Sequence, residues 1–101
     1  MKPSVIQKIN VRNMCSYKGT GNEVPNQFVI TAETENGCVR VFQSYDTVIA
    51  VKDENGKVTL DENNWDYSQT TSRYRNQFLR ENTAETRRKI EQGIYQLANL
   101  N

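Results

Sequence analysis

A row of cationic side chains in the last third of the chain is the group of residues with the clearest capacity for chemistry. The row comprises Arg73, Arg75, Arg80, Arg87, Arg88 and Lys89, with Tyr74 between the first two. Cations interleaved with an aromatic ring can contact the phosphates of a nucleic acid or an acidic protein surface. Ordinary solvated charge is the plainer alternative, because the acidic residues Glu81, Glu85 and Glu91 dilute the row.

The usual partners of acid–base and nucleophilic catalysis are missing from the sequence. There is no histidine, the side chain whose ordinary pKa lies nearest pH 7 and the commonest metal ligand. Cys15 and Cys38 lie far apart and have no histidine partner, which predicts two free thiols. The segment Lys18-Gly19-Thr20-Gly21-Asn22 lacks the Gly-Lys-Ser/Thr ending of a P-loop, so a flexible loop is the better interpretation.

Two groups of carboxylates could take part in chemistry, but simpler interpretations explain both. Glu54-Asn55-Gly56-Lys57 has the carboxylate-x-x-lysine spacing of some nucleases, yet it straddles a hairpin turn and should be a surface ion pair. Asp61, Glu62 and Asp66 offer oxygen ligands for a divalent cation without the spacing of an EF-hand loop. We therefore predict no catalytic residue, no cofactor and no metal, and a protein that is not an enzyme.

The charge of the chain changes sign along its length. The 13 Lys and Arg residues nearly balance the 12 Asp and Glu residues, for a net charge of +1. Residues 1–22 carry +4, residues 23–67 carry −6 and residues 68–101 carry +3. Such a chain can present an acidic face and a basic face. Its overall balance argues against a DNA mimic and against a purely electrostatic nucleic-acid binder.

The length and composition are those of one small globular domain. With 101 residues, of which 36% are hydrophobic, the chain can bury one core, and we predict a single domain over residues 1–101. No apolar run approaches the ~20 residues of a membrane span, and the first residues lack the apolar run of a signal peptide. We expect an intracellular protein without a membrane partner.

Two Asn-Gly pairs between apolar segments predict two β-hairpins with two-residue turns. Around Asn36-Gly37, strands over 27–35 and 38–44 place Glu33 opposite Arg40 as a cross-strand ion pair. One face of this hairpin then collects Phe28, Ile30, Ala32, Val39, Val41 and Tyr45. Around Asn55-Gly56, strands over 48–53 and 57–61 place Ile49, Val51, Val58 and Leu60 on one face.

The region before the first hairpin divides into a strand and a loop. Alternation over residues 5–13 indicates a fifth strand. The stretch 13–26 is rich in Gly, Pro and Asn and predicts a long loop. Tyr17 on this loop has no evident core role and, with Lys18, is a candidate contact residue for a partner.

After Leu60 the pattern changes to that of helices. Asp66 or Ser68 can cap a helix that runs to about Arg80 and buries Tyr74 and Phe78. The next helix is expected to be short and peripheral, with Asn82 or Thr83 as its cap, a capping box to Glu85 and a stop at Gly93.

Aromatic residues flank this helical region on both sides. Trp65 and Tyr67 should anchor the junction between sheet and helix in the core, and residues 94–97 form a last strand or an extended arm. The predicted fold is α+β, an antiparallel four- to five-stranded β-meander with two short C-terminal helices packed on one face.

Two segments of the sequence resemble a known group of proteins. They are Phe42-Gln43-Ser44-Tyr45-Asp46-Thr47-Val48-Ile49-Ala50 and residues 60–79, which include Asn63-Asn64-Trp65-Asp66-Tyr67-Ser68. From about Gln27 to the C-terminus, the chain resembles small uncharacterised proteins encoded by bacteriophages and mobile elements of gut and Gram-positive bacteria. The resemblance implies a phage accessory protein that acts in the cytoplasm of a bacterial host cell.

These observations together predict a non-catalytic binding protein. We expect it to bind and inhibit or modulate a host macromolecule, a protein or nucleoprotein such as a defence nuclease, in the manner of an anti-CRISPR protein. The alternative is a weak nucleic-acid-binding protein that uses its basic C-terminal helices. The candidate partner-binding residues are Tyr17, Lys18, Arg73, Arg75, Arg80, Arg87, Arg88 and Lys89.

Overall fold

The computed structural model describes residues 5–16, 18–19 and 21–101 and confirms the α+β class. Its strands are β1 (Ile6–Cys15), β2 (Glu23–Thr34), β3 (Gly37–Ser44), β4 (Thr47–Lys52), β5 (Val58–Asp61) and β6 (Gln96–Ala98). Its helices are α1 (Gln69–Leu79) and α2 (Thr83–Glu91). The six strands form one sheet in sequence order, antiparallel except for the parallel pair of β5 and β6. Both helices lie in the crossover between β5 and β6, which a parallel pair requires.

The first hairpin turns one residue earlier than its Asn-Gly pair predicts. Thr34 lies opposite Gly37, so Glu35 and Asn36 form the turn, and Glu33 lies opposite Cys38. The Thr34 hydroxyl accepts a hydrogen bond from the Asn36 backbone N–H at 3.1 Å and donates one to the Gly37 carbonyl at 3.0 Å. The predicted Glu33–Arg40 pairing is therefore wrong, but the shift preserves the two faces of the hairpin.

The second hairpin has a longer turn than predicted, and this changes its faces. Val51 lies opposite Thr59, and Lys52 lies opposite Val58. The Asp53 carboxylate accepts hydrogen bonds from the backbone N–H groups of Asn55 and Lys57, both at 2.9 Å. This side-chain cap closes a turn longer than two residues, so the register moves by one. Val51 consequently lies on the opposite face from Val58 and Leu60, and the single predicted apolar face is wrong.

The core lies between one face of the sheet and the helices. A row of directly opposed residues, Val29, Phe42, Ala50 and Leu60, crosses this core face, and all four are buried. Phe78 of α1 stacks on Phe42 with ring centroids 5.9 Å apart. Thr71 of α1 shares a buried hydrogen bond of 3.1 Å with Ser44 of β3.

Both helices begin where their capping residues predict. The Ser68 side chain accepts a hydrogen bond from the Thr71 backbone N–H at 3.1 Å, and this caps α1. Asn82 and Glu85 form the predicted capping box at the start of α2. Tyr74 and Phe78 are buried as predicted, whereas Tyr67, a predicted core anchor, is 51% exposed.

The predicted long loop over residues 13–26 is wrong at both ends. β1 continues to Cys15 and β2 starts at Glu23. Proline and asparagine are tolerated in this part of β2 because the ladder is irregular there, with a register shift between Asn13 and Cys15. Asn26 adopts a positive φ of 66° within this stretch, and its carbonyl accepts a hydrogen bond from the Tyr45 N–H at 2.6 Å.

Candidate binding surfaces

The predicted cationic row divides into structural residues and exposed residues. Arg75 has no exposed surface, which contradicts its predicted role as a partner-binding residue. One of its terminal nitrogens donates to the Trp65 carbonyl and to Asp66, and the other donates to Thr83 at 2.8 Å and to Asn76 at 3.0 Å. Arg75 therefore joins the segment before α1 to the start of α2.

Arg87 and Lys89 also make internal contacts. Arg87 donates to Asp66 at 2.8 Å and lies 5.5 Å from the centre of the Trp65 ring, with Arg75 at 5.1 Å from the same centre. Burial raises the pKa of Asp66, but hydrogen bonds from Arg87, Ser72 and Arg75 outweigh it and hold the pKa below its ordinary value. Trp65 thus packs against two guanidinium groups at the junction between the sheet and α1.

Lys89 belongs to a small polar cluster under α2. Its ammonium donates to Glu81 at 2.7 Å, and the Tyr95 hydroxyl donates to the same carboxylate oxygen at 2.6 Å. Thr86 donates to the other oxygen at 2.6 Å, and the Glu81 side chain is only 3% exposed. Burial alone would raise the pKa of Glu81, but these hydrogen bonds lower it below its ordinary value.

Replacing Glu81 with glutamine should cost about 1–3 kcal/mol at neutral pH, because both carboxylate oxygens accept hydrogen bonds and the amide NH2 group that replaces one of them cannot accept. In the native protein the lowered pKa adds stability above the ordinary value of 4.5, and that stability is lost as the pH falls below it. Glu81→Gln should therefore give a shallower loss of stability at acid pH. Urea unfolding between about pH 7 and about pH 3 measures this. The exposed Glu91→Gln variant should retain the native slope.

The remaining cations of the predicted row are exposed. Arg73, Arg80 and Arg88 all lie at the surface, as does Lys18, the predicted contact residue outside the row. Arg80 follows α1 with a left-handed φ of 58°, and its backbone N–H donates to the Asn76 carbonyl. Tyr17, the other predicted contact residue, lies outside the described residues.

A broad apolar area lies on the sheet face opposite the helices. Its central row of opposed residues is Val11, Ile30, Val41 and Val51, and a second row is Ile9, Ala32 and Val39. None of the apolar residues on this face is buried. We call this surface the open face, and it consists of Ile9, Val11, Phe28, Ile30, Ala32, Val39, Val41 and Val51. The molecule measures 40 × 33 × 21 Å, and its 21 Å thickness matches a sheet with one helical layer. No layer formed by the described residues therefore covers the open face.

The most exposed apolar side chains of this face are on the edge strand β1. Ile9 and Val11 are each 58% exposed, and Ile6 is 56% exposed. Among the described strands, β1 pairs only with β2, and it follows a regular register from Lys8 to Asn13. The opposite edge strand, β6, has only three residues. Short edge strands resist further pairing, whereas a long one presents free backbone groups to a partner.

Sequence reasoning missed this surface. The apolar residues of the first hairpin were grouped correctly, but nothing in their pattern distinguishes a face under a helix from a face in solvent. Val29 and Phe42 of the buried row are flanked along their strands by Phe28, Ile30 and Val41 of the open face, so both faces of the hairpin carry apolar residues. The available signal was the width of the sheet, since two short helices cannot cover both faces of six strands.

The other chemical expectations can be placed among the described residues. Cys15 and Cys38 are both exposed free thiols, as predicted. The part of the chain that the structure describes contains no group of three or more His, Cys, Asp or Glu side chains arranged to hold a metal ion. None of its helices is long and apolar enough to cross a membrane.

Comparison with known families assigns the chain to one of them. The model of a family of unknown function, DUF8033, matches residues 7–94, which span nearly the whole sheet and both helices. The chain belongs to the DUF8033 family. No curated protein and no solved structure matches it. Membership of DUF8033 assigns no activity to the chain.

Proposed function

We propose that this protein is a non-catalytic accessory protein of a phage or mobile element that binds and inhibits or modulates a host protein. Defence nucleases are the leading class of target. The observation that carries the proposal is the edge strand β1, whose apolar side chains Ile9 and Val11 remain 58% exposed. Exposed apolar patches on a small domain are costly unless they serve an interaction.

The geometry of β1 favours addition of a partner strand. Six consecutive residues, Lys8 to Asn13, keep a regular antiparallel register with β2 and can present one further edge of backbone donors and acceptors. In this mode of binding, main-chain hydrogen bonds supply affinity, and alternate side chains supply specificity. The open face continues the apolar surface of β1 into β2 and β3, so a partner strand gains apolar contacts as well.

The charge of β1 defines the partner. Ile9 and Val11 point to the open face, whereas Lys8, Asn10 and Arg12 point to the helix side. β1 contains no acidic residue. A segment that alternates apolar and acidic side chains therefore complements both sides of the strand.

A second copy of the chain fits this edge poorly. When two β1 strands pair antiparallel within one sheet, directly opposed residues share a face. Lys8 and Arg12 of both copies would then lie on the same side, with no carboxylate supplied by either strand. Repulsion between these cations disfavours self-association and leaves the edge to a different, acidic partner.

Substitution of β1 tests the proposal. Three proteins are immobilised: the native chain, the double variant Ile9→Lys/Val11→Lys and the control variant Ile94→Lys. Each is exposed to nuclease-treated lysates of gut bacteria. Ile94 is an apolar residue of nearly equal exposure, at 55%, outside the sheet. We expect one host protein to be retained by the native chain and by Ile94→Lys and lost from the double variant, because the new ammonium groups would be desolvated at the interface.

The folded state should survive these changes, because exposed substitutions usually alter stability by less than about 0.5 kcal/mol. Thermal unfolding of all three proteins verifies this. Equal retention of the host protein by all three variants would contradict the role of β1. Retention from an untreated lysate that nuclease treatment abolishes would contradict a protein partner.

A further inference from the structure

A pocket lies on the helix side of the sheet, between the end of α1 and strands β1 to β3. Its volume is about 270 Å³. The lining residues are Arg12, Met14, Cys15, Val29, Arg40, Gln77, Phe78 and Arg80. Three of the eight lining residues are arginines and none is acidic. Arg75 and Arg87, by contrast, form ion pairs with Asp66.

The three arginines come from separate elements. Arg12 is on β1, Arg40 is on β3, and Arg80 follows α1. Arg40 lies over the ring of Phe78, with its guanidinium carbon 5.4 Å from the ring centre. Among the described residues, the ion pairs join Arg75 and Arg87 to Asp66 and Lys89 to Glu81, and none joins these three arginines to a carboxylate.

The surroundings of the pocket are also cationic. Lys52 of β4 lies directly opposite Arg40, on the same face of the sheet. Lys8 of β1 faces this side as well, opposite Glu33, and Glu23 lies opposite the pocket residue Cys15. Cations on β1, β3 and β4 therefore extend beyond the pocket, which suits an extended anion better than an isolated ion.

The carbonyl end of α1 opposes anion binding at this place. A helix C-terminus carries the equivalent of roughly half a negative charge. The N–H groups of Arg80 and Glu81 both donate to the Asn76 carbonyl, which occupies one of the terminal acceptors. Three full positive charges outweigh this partial charge, so the net field in the pocket favours an anion.

We propose that this three-arginine pocket binds a phosphate group, carried by a nucleic-acid strand or supplied as free phosphate. Guanidinium groups match phosphate oxygens with paired, charge-assisted hydrogen bonds. The pocket is slightly smaller than the range of about 300–1,000 Å³ typical of small-molecule sites, so it suits one charged group rather than a whole large ligand. The pocket is separate from the open face, but it shares Arg12 with the helix side of β1, which the proposed protein partner also contacts.

Cys15 provides a reporter within the pocket, and Cys38 provides an internal reference outside it. Both thiols are exposed, and only Cys15 lines the pocket. The rate of alkylation by neutral N-ethylmaleimide is measured at each cysteine by mass spectrometry. The additions are inorganic phosphate, a single-stranded oligonucleotide and polyglutamate. We expect a phosphate-bearing addition to slow labelling of Cys15 but not of Cys38.

The arms of this experiment separate the two sources of phosphate. Protection by the oligonucleotide at concentrations where inorganic phosphate has no effect identifies a nucleic-acid strand, and equal protection by both identifies free phosphate. Equal protection by polyglutamate would overturn the proposal, because any polyanion would then suffice. If neither inorganic phosphate nor the oligonucleotide protects Cys15, the proposal is overturned as well.

Variants tie the protection to the arginines. Arg12→Gln/Arg40→Gln should weaken binding by about tenfold for each guanidinium removed. For the oligonucleotide, it should also reduce the dependence of log affinity on log salt by about 0.7, since both arginines contact the one phosphate in the pocket and each single-strand phosphate contact contributes about 0.7. Lys57→Gln, which removes an exposed cation of the second hairpin turn outside the pocket, should bind as the native protein does. Unchanged protection in the double variant would overturn the proposal, and thermal unfolding confirms that each variant is folded.

Discussion

Replacing Arg75 with alanine is expected to lower the free energy of unfolding by about 3–5 kcal/mol, the usual cost of removing one partner of a buried charged network. The guanidinium has no exposed surface and donates to groups before α1, within α1 and at the start of α2. Its loss leaves the Trp65 carbonyl and the Thr83 hydroxyl without this donor. Urea denaturation of the native and variant proteins measures the difference.

Two further variants isolate the cause of this effect. Arg88→Ala removes an exposed arginine from α2 and should change stability by less than about 0.5 kcal/mol. Arg75→Lys retains the charge but cannot make the forked contacts of a guanidinium, so it should remain strongly destabilised. A loss of less than about 1 kcal/mol in Arg75→Ala would mean that the network does not hold the segment before α1 to the start of α2.

Replacing Phe42 with alanine should lower the free energy of unfolding by about 3–5 kcal/mol, because it opens a cavity in the core. Phe42 is fully buried under Phe78. Phe28→Ala is the matched control, since Phe28 is on the adjacent strand and on the open face, where it is only partly buried. Its loss should cost about 1 kcal/mol, roughly half the value of a fully buried side chain.

The comparison of these two phenylalanine variants tests which face of the sheet is the core. Equal losses would mean that both faces are packed, and the open face would then not be a binding surface. A larger loss for Phe28→Ala would reverse the assignment of the faces. Both variants retain the charge of the chain, so electrostatics cannot produce the difference.

The helices were largely predictable because their caps are local chemistry. Ser68, Asn82 and Glu85 satisfy backbone N–H groups within three residues, and no distant contact is needed to choose them. The hairpin registers were not predictable from the Asn-Gly pairs. Thr34 and Asp53 bond to the turn backbone and select other turns, and this competition depends on side-chain geometry rather than on turn preference.

The candidate site was predictable only in part. The sequence does not distinguish the internally bonded cations Arg75, Arg87 and Lys89 from the exposed Arg88. It does not reveal which cation meets a carboxylate from another part of the chain. Asp66 and Glu81, the acidic partners of these three cations, were read as solvated acids or as dilution of the basic row. The importance of β1 depends on the order of the strands, a property of the whole sheet.

Hydrogen exchange of the β1 backbone, with and without the retained host protein, tests the central claim most directly. Exposed edge amides exchange rapidly, whereas pairing with a partner strand slows exchange at alternate residues. We predict protection at alternate amides between Lys8 and Asn13 and at no amide of α2. Protection confined to the helices, with β1 exchanging at its free rate, would contradict the proposal that β1 binds the partner.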